Sequence, residues 1–69
     1  MNKANQIASL AERICEYWRI ANVADMVATL WDDNRRRGLA ADLKGEAEWA
    51  DNDYKAYEAS MLWREVVAL

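Results

Sequence analysis

Apolar residues recur at alternating intervals of three and four along nearly the whole chain, and no proline interrupts them. Ile7, Leu10, Ile14, Tyr17, Ala21, Ala24, Ala28 and Trp31 form one such series. Ala40, Leu43, Ala47, Ala50, Tyr54, Tyr57, Met61 and Ala68 form a second, with Arg64 as its one polar member. A repeat of seven residues puts each series on a single stripe of a helix, the a/d pattern of packed helices. Alanine, the strongest helix former, occurs 13 times in the 69 residues, and β-branched residues are few. The pattern predicts an all-α protein.

The two glycines, Gly38 and Gly45, are the strongest punctuation. Asn2 or Asn5 can cap the first series, since a side-chain oxygen there accepts a free backbone N–H. Arg35, Arg36 and Arg37 would then fall in a last helical turn, with Gly38 just beyond it, the arrangement expected of a helix stop. The reading is a single helical domain over residues 1–69: a helix over about 3–37, a turn near 38, and a helix over about 40–68 with Gly45 as its weak point. Folded at Gly38, the two form an antiparallel two-helix hairpin. Ala28 then opposes Ala47, Tyr17 lies beside Tyr57 and Ile14 beside Met61, with arms about 45 Å long.

A lone hairpin cannot bury all its apolar residues. Ile20, Val23, Val27 and Leu30 make a second stripe on the first helix, and Trp49, Ala56, Ala59, Trp63 and Val66 point away from the seam on the second. A chain this short buries only about 60% of the surface its unfolded form exposes, and small cores usually need a disulfide, a metal or another subunit. With one cysteine and no histidine, the first two are poorly served. The expectation is therefore a homodimer, a four-helix bundle cored by Ile7, Leu10, Ile14, Tyr17, Ile20, Val27, Leu30, Trp31, Leu43, Tyr54, Tyr57 and Met61. The alternative is a compact three-helix fold, in which a break near Asn22 or Gly45 returns the surplus stripe to the same chain.

Catalytic chemistry has little support. Without histidine, acid–base work needs a carboxylate pair, Lys or Tyr in a pocket. Glu46 and Asp53 share a face on the expected second helix but lie two turns apart, about 10 Å, too far to share a proton. Cys15 has no histidine to activate it and follows seam residue Ile14, so it reads as a small buried hydrophobe. Asp51-Asn52-Asp53 has the opening residues of a calcium loop, but Ala56 stands where that loop needs glycine and Leu62 where it needs a bidentate acid. No cofactor, metal or phosphate-binding motif is expected.

What remains points to binding. The net charge is −3, and residues 42–58 hold six acids against two bases, a local charge of −4. Trp49, Tyr54 and Tyr57 lie within this stretch; aromatics ringed by charge are common anchors at protein interfaces. The expected partner contacts are Trp49, Trp63, Asp53 and the Arg35, Arg36, Arg37 triplet. In size and character the chain matches small acidic accessory proteins of phages and plasmids, an analogy that no motif carries. The expectation is a non-enzymatic module that regulates or inhibits a cellular protein by occupying its surface. The alternative is a small helical DNA-binding regulator that touches phosphates through Arg35–Arg37. Acidic composition makes nucleic acid the weaker choice. No segment has the length or apolarity of a membrane span or the layout of a signal peptide, and a lone thiol suits a reducing compartment, so the expected location is cytoplasmic.

Overall fold

Four Asx side chains start four helices. In the computed structural model, which describes residues 2–69, these are α1 (Lys3–Trp18), α2 (Val23–Trp31), α3 (Asp33–Trp49) and α4 (Asp53–Ala68). Asn2 accepts the Asn5 N–H at 2.8 Å, Asn22 accepts that of Asp25 at 3.0 Å, and Asn52 accepts that of Lys55 at 2.8 Å. Asp32 takes two, from Asn34 and Arg35. Each bond satisfies an N–H that the first turn would otherwise leave open, worth about 1 kcal/mol.

The breaks have local causes. At the end of α1, Arg19 adopts the left-handed conformation (φ 57°, ψ 46°), and the Ile20 N–H reaches back to the Cys15 carbonyl at 2.8 Å. This closes the helix in the manner usually assigned to glycine. Between α2 and α3 the turn is one residue long: Asp32, extended at φ −92° and ψ 119°, ends one helix and caps the next. Ala50 and the extended Asn52 separate α3 from α4.

The long helices expected over 3–37 and 40–68 are thus four shorter ones, and the hairpin turn at Gly38 does not exist. Gly38 and Gly45 both lie inside α3, and neither has a positive φ. A glycine stop requires the left-handed region, and here α3 continues through both positions. Continuing buries Leu39 and Leu43, each worth roughly 1.5–3 kcal/mol, against about 1 kcal/mol for each helical glycine. The break near Asn22 is present, as the alternative fold expected; the one near Gly45 is not.

α1 pairs with α2 and α3 with α4, and α1 also packs on α4 and α2 on α3. The longest dimension is 32 Å, well short of the 45 Å arms of the hairpin. The core is Ile7, Leu10, Ala11, Ile14 and Cys15 from α1, Met26 and Leu30 from α2, Leu39 and Leu43 from α3, and Leu62 and Val66 from α4. Ile7, Leu10, Ile14, Leu30 and Leu43 were expected there; Tyr17 and Val27 are partly buried beside it.

The register of α4 differs from the expected seam. Ala59, Leu62 and Val66 face inward, while Tyr54, Tyr57 and Met61 are on the outside, as are Ile20 and Trp31 elsewhere. The expected seam assumed one uninterrupted helix from 40 to 68. The break over residues 50–52 resets the phase, so α4 turns Ala59, Leu62 and Val66 to the core and leaves its two tyrosines in water. Across α1 and α4, Arg13 clamps Glu65 with two bonds of 2.7 Å. That paired hydrogen bonding holds the guanidinium pKa above its usual value.

Candidate interaction surface

Trp49 is the last residue of α3 and is 86% exposed. The short turn after it carries the chain into α4, where Tyr54 and Tyr57 are 73% and 64% exposed. Three large aromatics therefore stand in water around one corner of the molecule. A large aromatic side chain left in water forgoes roughly 1.5–3 kcal/mol of burial, so the indole and two phenol rings exposed on either side of the α3–α4 turn leave apolar surface for another protein to cover.

A shallow groove runs between α3 and α4, lined by Ala47, Ala56, Tyr57, Ser60 and Trp63. The small residues let the helices approach and leave the indole wall accessible. Trp63 is half-buried: one side packs on the core, and the Lys44 ammonium sits 5.5 Å from its ring centroid. Lys44 and Glu48 rim the groove. Asp53 lies at the start of α4, exposed, where its charge also suits the helix N-terminus. Glu46 and Asp53, expected on one helix, belong to α3 and α4 respectively.

The arginine triplet is elsewhere. Arg35, Arg36 and Arg37 lie near the start of α3, not in the last turn of a helix, and Trp49 ends the same helix about 18 Å further along at 1.5 Å per residue. Arg35 meets Asp25 at 3.3 Å. Arg36 meets Asp33 at 2.7 Å and donates to the Leu30 carbonyl at 2.9 Å, one of the open carbonyls at the end of α2. Two of the three arginines thus hold the α2–α3 corner together. Arg37 makes no ion pair among the described residues. Nothing in the residue order signals the Leu30 contact, which depends on the one-residue turn at Asp32.

Cys15 and Tyr17 are tied into the fold. Cys15 is buried, and burial first, then the Asp25 carboxylate, pushes its thiol pKa up. A thiol held in its neutral form is a poor nucleophile. Tyr17 donates to Glu46 at 3.2 Å and packs edge-on to Trp18, ring centroids 5.9 Å apart. Burial, then this bond, raises its phenol pKa. Among the described residues, no three Cys, Asp or Glu side chains converge as metal ligands would, and no helix is long and apolar enough to cross a membrane.

Comparison with protein-family models, with characterised proteins and with solved structures finds no match. The functional reading therefore rests on this surface alone.

Proposed function

We propose that this chain is a small, non-enzymatic protein-interaction module that acts as a homodimer and regulates or inhibits a cellular partner protein by covering part of its surface. The observation that carries the reading is Trp49, 86% exposed at a corner shared with Tyr54 and Tyr57. Tryptophan and tyrosine dominate binding hot spots because each buries a large rigid ring at small entropic cost. The groove beside Trp63 offers a partner side chain an apolar seat edged by Lys44 and Glu48, and the local charge of −4 over residues 42–58 favours a basic partner surface. A cytoplasmic location and a phage or mobile-element origin belong to the same proposal. The DNA-binding alternative is weakened because Arg35 and Arg36 already bond within the chain.

The test is affinity capture from host lysate with the wild-type chain, Trp49→Ala and Arg37→Glu side by side. Trp49→Ala removes no core contact, so its thermal unfolding should match wild type within about 0.5 kcal/mol. The proposal expects a protein captured by wild type and lost, about tenfold or more, with Trp49→Ala. Capture indifferent to Trp49, or retention on heparin abolished by Arg37→Glu, would overturn it.

A further inference from the structure

The seven-residue repeat in α4 survives in the fold, but it faces outward. Tyr54, Tyr57, Met61, Arg64 and Ala68 follow spacings of three, four, three and four, and every one of them is exposed. The inner face of the same helix is already complete with Ala59, Leu62 and Val66. α4 therefore carries two stripes, one used within the chain and one open. An open a/d stripe is the surface on which a second helix packs.

The charges on this stripe say which helix. Asp53 opens α4, and Arg64 follows three turns later. Neither takes part in any ion pair among the described residues. A second copy of α4 running antiparallel brings Arg64 beside the Asp53 and Tyr54 of the other copy, twice, across a two-fold axis that passes between Tyr57 and Met61. A parallel copy would set Arg64 against Arg64 and Asp53 against Asp53. The antiparallel arrangement also opposes the two helix dipoles. Taking about 200 Å² for a whole ring, the two tyrosines expose about 270 Å² per copy, and the full stripe roughly 500 Å². Two copies would bury about 1,000 Å², the lower limit for a specific interface.

We infer that the outer face of α4 is the homodimer interface, with Tyr54, Tyr57, Met61 and Arg64 packed against the same residues of an antiparallel second copy. The inference rests on the proposed homodimer and assigns Tyr54 and Tyr57 to it, leaving Trp49 and the Trp63 side of the groove for the partner protein. An area this small is that of a weak, reversible association.

Sedimentation equilibrium across the micromolar range, on the full chain, tests it. Wild type should show a reversible monomer–dimer equilibrium. Arg64→Glu sets acid against Asp53 and should weaken association about tenfold or more, and adding Asp53→Arg should restore it. Met61→Glu, at the centre of the stripe, should leave only monomer. All three sites are exposed, so circular dichroism should show every variant folded, with Asp53→Arg giving up only the favourable charge at the start of α4. A monomer at all concentrations would overturn the inference, as would a dimer indifferent to Met61→Glu and Arg64→Glu. Failure of the double variant to restore association would overturn the antiparallel pairing. A monomeric wild type whose capture of a different protein is lost in Met61→Glu would reassign the stripe to that partner. A dimer formed elsewhere would leave the proposed partner capture through Trp49 standing, because that is read by a separate substitution.

Discussion

Replacing Gly38 by alanine separates the four-helix fold from a hairpin that turns at this residue, because the two give opposite signs. Gly38 sits within α3 with an ordinary helical φ, and an added Cβ would meet no atom within 4 Å. No steric term opposes the substitution. The gain is then the helix-propensity difference between glycine and alanine, together with the lost freedom of the unfolded chain, about 0.8–1 kcal/mol. For a chain of this size that raises the melting temperature by about 4–8 °C. Had Gly38 formed a left-handed turn, alanine would instead cost about 1–2 kcal/mol. The assay is thermal unfolding followed by circular dichroism, with wild type and variant at matched concentration, since self-association also shifts the transition. A lowered melting temperature would refute the placement of Gly38 inside a helix.

Two further predictions concern the local devices of the fold. Arg19 is held at φ 57°, so Arg19→Gly should stabilise by about 0.5–1 kcal/mol and Arg19→Val should destabilise by more than that; equal melting temperatures for the two would contradict the left-handed cap. Burial raises the Cys15 thiol and the Tyr17 phenol in the folded chain, so both groups lose their protons more readily when it unfolds. Stability should therefore hold constant below the thiol's ordinary value of about 8.5 and fall as pH rises above it, then fall further above about 10. Chemical denaturation at a series of alkaline pH values reads this directly, and a stability that rose over the same window would contradict it.

The all-α class was legible because nearly the whole chain obeys a helical period, the polar run over residues 32–38 excepted. Reading the glycines as punctuation gives two helices where there are four, because a glycine stops a helix only when the left-handed region is reached, and α3 continues through Gly38 and Gly45 with Leu39 and Leu43 buried. The informative punctuation was the Asx residues: Asn2, Asn22, Asp32 and Asn52 each precede a first turn whose N–H they accept. The sequence offers Asn2 or Asn5 as the first cap and Asn22 or Gly45 as a break, of which Asn2 and Asn22 are the ones used; Asp32 and Asn52 sit among other acids and amides and do not stand out. Arg19 carries no sequence mark of a left-handed cap. The core of α1 was readable residue by residue, since Ile7, Leu10 and Ile14 keep their phase within one unbroken helix. α4 was out of phase because the break over residues 50–52 cannot be seen in the repeat, which runs on through it. At the surface, Trp49 stood out by its place off the seam. The arginine triplet looked like a helix end, and its tie to the Leu30 carbonyl follows only from the three-dimensional turn.

In the proposed homodimer the Tyr54, Tyr57 and Met61 stripe of α4, open in a single copy, is covered by a second copy while Trp49 stays free for a partner. Hydroxyl-radical footprinting of the intact chain, from dilute to concentrated, measures that exposure side chain by side chain. In dilute solution Trp49, Tyr54, Tyr57 and Met61 should oxidise rapidly while Leu43 and Leu62 stay protected; on concentration Tyr54, Tyr57 and Met61 should become protected and Trp49 should not. Protection of the α4 residues already at the lowest concentration, or none at the highest, would contradict the account.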